Sequence, residues 1–212
     1  MRNVEYDLVS SLGRCIYNKI KETGLTKEVF LAEEQNALEV FQTEAISFLD
    51  REPKSIFQWL AVAQHYGLPT RLMDWTTNPL VALFFAVKDD SSNDSVVYVN
   101  NFEKDRWIHG DDAARSGFDS KGITPFSISK LFYFRPSVID SRIGAQNGLF
   151  SVQPDPTERF PLENLTKIVI KNDSRKRIRY TLMNYDVTPR SLFPGLEGIA
   201  KMIFWDKFRV HV

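Results

Sequence analysis

From Leu80 to Val87 the chain reads LVALFFAV, an unbroken run of apolar side chains. A helix over this run is apolar on nearly every side, so the rest of the chain must enclose it. A bilayer cannot do so instead, because a spanning helix needs about 20 such residues. The start of the helix is written into the two residues before it: Asn78 offers an N-cap oxygen, and Pro79 suits the first helical position, where its missing N–H would have been unpaired anyway. Any fold this chain adopts is built around that buried helix.

The segments ahead of it are also helical by pattern. Ser11 opens a short helix that carries Arg14, Tyr17 and Ile20 and stops at Gly24. Thr26 starts a longer one, in which Val29, Phe30, Ala37, Leu38, Phe41, Ala45, Ile46 and Leu49 recur at steps of three and four and share a face. A third helix runs from about Ser55 to Tyr66, with Ile56, Trp59, Leu60 and Ala63 inward; Gly67 ends it in a left-handed conformation and Pro69 prevents resumption. After residues 89–94, VVYVN reads as a strand. Further strands are expected at Leu149–Val152 and Ile168–Ile170, and residues 101–122 read as irregular and exposed. Ser174 caps a helix over Arg175–Tyr185, and Thr188-Pro189 opens another. The expected class is α+β, a helical N-terminal third packed on a mixed or antiparallel sheet drawn from the second half.

The 212 residues suit one domain spanning 1–212, with no repeat, low-complexity tract or linker to divide them. Basic and acidic side chains number 27 each and cancel. That balance excludes a polyelectrolyte and removes the simplest case for a nucleic-acid partner, although a local basic patch stays open. Cys15 is the only cysteine, which excludes an intrachain disulfide and a Cys-rich zinc site and points to reducing cytoplasm. The start, MRNVEYDLVSSL, lacks the apolar core of a signal peptide. The expectation is a cytoplasmic protein with no membrane partner and no metal.

Chemistry-bearing residues are densest over 64–87, QHYGLPTRLMDWTTNPLVALFFAV. Asp74, Trp75 and Thr76 stand beside the positive end of the buried helix, where backbone N–H groups and the helix dipole favour an anion. His65, Tyr66 and Arg71 are near in sequence. A purely structural reading competes: Asp74 caps, Arg71 pairs with it, and His65 and Tyr66 are interior. A second stretch, RIGAQNGLFSV at 142–152, sets Gln146 before Gly148 at a strand entry, where an amide sits beside a close backbone approach; an ordinary turn into an edge strand is the competing account. HGDD at 109–112 holds the ingredients of a hard-metal site in a loop, and KNDSRKRIR at 171–179 reads as the exposed basic face of a helix. There is no P-loop, nucleophile elbow, HExxH or dinucleotide glycine fingerprint.

Taken together, YDLVSSLGR at 6–14, QHYGLPTRLMDWTTNPLVALFFAV, RIGAQNGLF at 142–150 and SLFPGLEGIAKMI at 191–203 resemble the FRG domain, a bacterial and phage family named for a Phe/Tyr-Arg-Gly motif. The tripeptide itself is absent. By spacing it would fall ahead of Met1, so either the chain starts inside a longer product or its group has dispensed with the motif. The family's layout is similar to that of ADP-ribosyltransferases. By that analogy Asp74-Trp75-Thr76 is the Ser/Thr element before a buried helix, and Gln146 is the later Glu/Gln element. The resemblance implies NAD as substrate and ADP-ribosyl transfer to a protein or nucleic-acid acceptor, in a toxin or phage-defence setting. Thr76 and Gln146 would take the catalytic positions, with His65, Tyr66, Arg71, Asp74, Trp75 and Asn78 around the NAD. Gln146 can hold a ribose hydroxyl but cannot act as a general base. The other class of reading is a non-catalytic module that binds NAD or ADP-ribose, a nucleic acid or a protein. A metal-dependent phosphodiesterase using Asp111 and Asp112 comes third.

Overall fold

Local sequence signals set the helix ends. In the computed structural model, which describes residues 7–101, 107–108, 124–136, 141–163 and 165–209, the Ser10 hydroxyl accepts the Gly13 N–H and starts α1 (Ser11–Thr23), one residue earlier than the sequence suggested. Gly24 ends it at φ 71°, a conformation that carries no Cβ penalty for glycine. α2 (Lys27–Ala45) follows and tightens into a 3₁₀ turn at Ile46–Phe48. The Ser55 hydroxyl accepts the Gln58 N–H to open α3 (Ile56–His65), and Gly67, at φ 94°, closes it. Asn78 Oδ1 accepts the Leu80 N–H at 2.9 Å, with Pro79 as the first residue of α4 (Pro79–Val87). The predicted face of α2 is narrower than its periodicity suggests: Leu38 is buried, but Val29 and Ile46 are exposed.

The strands are β1 (Leu72–Thr76), β2 (Ser95–Asn100), β3 (Trp107–Ile108), β4 (Phe132–Phe134), β5 (Gly148–Val152) and β6 (Leu165–Ile170). They form a four-stranded sheet in the order β1-β5-β4-β3 and an antiparallel pair β2-β6. β3 and β4 are parallel and the other pairs antiparallel. The class is therefore α+β as expected, but the sheet does not wait for the second half of the chain. LMDWT, which reads as loop, is β1. Trp75 and Thr76 favour strand but Asp74 does not, and the five residues show no clean alternation of apolar and polar side chains; β5 pairs with them from Leu72↔Val152 to Thr76↔Gly148. Of residues 101–122, only Asn101 and the strand Trp107–Ile108 are described; the rest lie outside the described residues.

Alternation along β1 sends side chains to two cores. Leu72, with Phe150 and Val152 of β5, packs against Phe57, Leu60 and Ala61 of α3 and Leu38 of α2. Met73 and Trp75, on the opposite face, meet Leu149, Tyr133 and Phe160. Trp75 Nε1 also donates to Ser151 Oγ at 2.8 Å. A third core surrounds α4, where Val81, Phe84 and Val87 pack with Leu182, Leu192, Phe193 and Trp205. These last residues belong to α6 (Arg175–Asn184), α7 (Pro189–Leu192) and the segment around α8 (Leu196–Phe204). Thr188 starts α7 with a capping box shared with Ser191. Ser174 makes no side-chain cap, and α6 instead grows out of a 3₁₀ turn at Asn172–Ser174. Residues 171–179 are not simply an exposed basic face: Arg175 is buried and donates to the Ala86 and Asp89 carbonyls at the end of α4, satisfying groups that the helix leaves unpaired.

One buried ion pair ties the residue before β1 to α2. Arg71 and Glu34, 4 % and 3 % exposed, are joined by Nε at 2.9 and 3.1 Å and by Nη2 at 2.5 Å. Arg71 Nη1 donates to the Pro125 and Pro154 carbonyls at 2.9 and 3.2 Å, and the guanidinium lies over the Phe126 ring. Arg71 thus pairs with α2 and two loops, not with Asp74.

Removing one partner of this pair strands a charge in the interior, so Arg71→Met should cost about 3–5 kcal/mol in urea unfolding. Replacing both partners, Glu34→Leu with Arg71→Met, should recover much of that loss. Phe84→Ala should cost a similar 3–5 kcal/mol or so, because its ring is enclosed. Phe85→Ala should cost clearly less, because Phe85 is only partly buried.

Candidate functional site

The β1–β5 register brings the two polar stretches side by side. Thr76 pairs with Gly148, directly after the turn that carries Gln146 and Asn147. Thr76 Oγ1 donates to the Gln146 carbonyl at 2.7 Å and accepts the Asn78 N–H at 3.0 Å. The Thr77 N–H donates to the Asn147 carbonyl, and Asn147 turns the chain at φ 47°. Short β-pairing and this turn therefore fix residues about seventy apart in sequence within hydrogen-bond distance.

Beside them lies a cavity of about 400 Å³, within the range that small-molecule sites occupy. Among the described residues β1 is an edge strand, and residues from both of its faces line the cavity, so the space runs along that edge. α3 contributes Gln64 and His65, and β1 contributes Asp74, Trp75 and Thr76. Across from them are Phe85 of α4 and Val96, Val97 and Tyr98 of β2. Arg142, from the helix α5 (Ser141–Ala145), and Gln146 complete the polar wall.

The sequence-nominated residues divide into two groups. His65, Asp74, Trp75, Thr76 and Gln146 line the cavity. Tyr66, Arg71 and Asn78 do not: Tyr66 is exposed, its ring edge-on to His65, Arg71 is the buried hub described above, and Asn78 caps α4. Thr76 has both roles of its hydroxyl committed inside the protein. Gln146 Nε2 donates to the Leu192 carbonyl at 2.9 Å, which leaves its oxygen as the amide's free acceptor toward the cavity. Gln64 and Arg142 were not singled out in the sequence. Arg142 carried a signal, since it stands four residues before Gln146, one helical turn away. HGDD at 109–112, with Asp111 and Asp112, lies outside the described residues.

Asp74 is the electrostatically unusual group. Its side chain has surface open to the cavity, yet protein encloses it closely enough for desolvation to push its carboxyl above the usual range. A hydrogen bond with the Gln64 side chain and the charge of Arg142 act against that rise without cancelling it. The Thr70 hydroxyl donates to Gln64 Oε1, which turns the Gln64 amide nitrogen toward the carboxyl. The site thus holds a positioned carboxyl whose proton is retained to higher pH than in water, an acid–base group in an apolar-walled space.

The sequence model of the FRG domain family matches residues 1–95, which include α1 to α4 and β1. The resembling pieces at 142–150 and 191–203 lie outside that match. No curated protein and no solved structure matches the chain. Among the described residues, no helix is long and apolar enough to cross a membrane.

The raised Asp74 carboxyl has a defined effect on stability. The folded protein holds this proton more tightly than the unfolded chain, so the contribution of Asp74 to stability falls as pH rises from about 4 through the folded value. Asp74→Asn removes that loss. The variant should melt at a higher temperature than the parent at about pH 7.5, and its advantage should disappear below the ordinary aspartate range. A variant that melts lower at neutral pH would show that the carboxylate is stabilised by its surroundings.

Proposed function

We propose that the cavity of this FRG-domain chain binds the ribosyl part of NAD and supports ADP-ribosyl transfer to a protein or nucleic-acid acceptor. The observation that carries this reading is the convergence of the 74–76 and 142–146 segments on one cavity, the first of them bearing a carboxyl of raised pKa. The donor set suits a ribosyl ligand. A ribose offers hydroxyl donors, for which Asp74 and the Gln146 oxygen are acceptors. Trp75, Phe85 and Tyr98 supply apolar and aromatic wall for a flat ring.

Within this reading the roles shift from those the sequence suggested. Thr76 is a positioning residue, since its hydroxyl holds the Gln146 carbonyl and the start of α4. Gln146 orients through the Leu192 carbonyl and touches ligand through its oxygen. Asp74 is the one carboxyl lining the cavity among the described residues, and it takes the proton-handling task an amide cannot perform. NAD supplies the glycosidic bond to be cleaved, and the residues named here bind, orient and hold the proton. Cytoplasmic location and a toxin or defence setting belong to this same reading.

The internal commitment of Thr76 and Gln146 favours a second reading, a module that binds NAD or ADP-ribose without turnover.

The full chain is to be mixed with NAD and candidate acceptors, with nicotinamide release and acceptor mass followed. Release with gain of one ADP-ribosyl unit is expected, and Asp74→Asn should slow it by about 10²–10⁴-fold. Thr76→Val should lower stability by about 1 kcal/mol through its lost hydrogen bonds and weaken binding without abolishing it. Calorimetric binding of ADP-ribose with no release would select the module, and absence of any binding would end both readings.

A further inference from the structure

The cavity wall carries one guanidinium, and that group is not isolated. Arg142 is the only arginine or lysine among the described residues that line the cavity. Its side chain is 30 % exposed, and its Nη1 lies 3.8 Å from Glu197 Oε2 on α8, itself half-exposed. Lys201, one turn further along α8, donates to the other oxygen of Glu197. Arg142 and Lys201 both lie over the Phe193 ring, at 4.6 and 4.0 Å from its centroid, so one aromatic platform fixes both cations. His65, at the end of α3, is near enough to act on the same carboxylate. Three basic side chains from three separate elements therefore act on a single anionic group next to the Arg142 part of the cavity wall, while Asp74 lies on β1.

We propose that Arg142, Lys201 and His65 form a phosphate subsite beside the Arg142 part of the cavity wall, in which the Glu197 carboxylate holds the place that a ligand phosphate takes. This rests on the ribosyl reading above and extends it to a class of ligand, a ribosyl group bearing a 5′-phosphate or pyrophosphate. The chemistry supports an exchange. The Arg142–Glu197 contact is long and partly solvated, the kind of ion pair that contributes little. A phosphate oxyanion can take two parallel N–H bonds from the guanidinium and more charge from Lys201. The hydrogen bond from Lys201 and the charges of Lys201, Arg142 and His65 hold the Glu197 carboxyl below the usual range, which is what a site prepared for an anion does to any acid placed in it. Sugar hydroxyls toward Asp74 and phosphate toward Arg142 match the order of groups along a nucleotide.

The test compares two ligands that differ only by the phosphate, nicotinamide riboside and nicotinamide mononucleotide, by calorimetry on the full chain. The parent should prefer the mononucleotide by about ten- to a hundredfold. Arg142→Gln should bring that ratio close to one while leaving riboside binding in place. Glu197→Gln, a change on an exposed side chain, should tighten the mononucleotide and leave the riboside unchanged, because it removes the competing charge. Equal binding of the two ligands by the parent overturns the subsite while leaving the ribosyl cavity standing. Weaker mononucleotide binding in Glu197→Gln, or equal loss of both ligands in Arg142→Gln, also overturns the subsite. Binding of neither ligand by the parent overturns the cavity reading and the subsite with it.

Discussion

The pairing of β1 with β5 is the constraint from which the rest follows. Five residues without a strand-like alternation of apolar and polar side chains become a strand because a second segment, more than seventy positions later, offers them a ladder. That ladder sets the alternation of Leu72, Asp74 and Thr76 against Met73 and Trp75. It thereby decides which face of the sheet each of these side chains takes. It also places the Gln146 carbonyl within reach of the Thr76 hydroxyl. A slip of one residue would turn Asp74 into the apolar contacts of Trp75 and send the indole to the other face.

Beside that ladder the molecule is divided by packing. The helices α2 and α3 cover one face of the sheet, while α4 is enclosed mainly by the C-terminal helices and β2. The cavity lies where these bodies of packed side chains meet, along an edge strand that no further strand covers among the described residues. Such junctions are where ligand sites form, since neither core needs to fill the space with its own side chains. Charge is distributed to match. The β1 wall carries a single carboxyl hydrogen-bonded to an amide, and Arg142, with Lys201 beside it, lies over the Phe193 ring.

Much of the local structure was legible in the sequence because its causes are local. A hydroxyl or amide cap, a proline at the first turn and a left-handed glycine act within four residues, and Asn78, Pro79 and Gly67 were readable on that ground. The buried α4 was readable because no solvent-facing residue interrupts it. β1 was not, because its strand state is conferred by distant β5. Arg71 was misread for the same reason: its carboxylate partner is Glu34, 37 positions away, while Asp74, three positions away, faces elsewhere. At the site, five of the eight nominated residues line the cavity. Gln64 and Arg142 went unnoticed because their importance comes from neighbours on other elements, and a glutamine or arginine in a helix otherwise looks like ordinary surface.

The Arg71 hub has a consequence for how the chain is made. Its guanidinium is satisfied by groups at 34, 125 and 154, and β1 needs a partner that ends at Val152. During synthesis, then, the stretch up to residue 95 emerges with a buried charge half-solvated and a strand edge bare. It cannot close its own interior until some sixty further residues have left the ribosome. The first half of this molecule is a recognisable sequence without being an autonomous folding unit, and a truncation there would yield a sticky, protease-sensitive fragment.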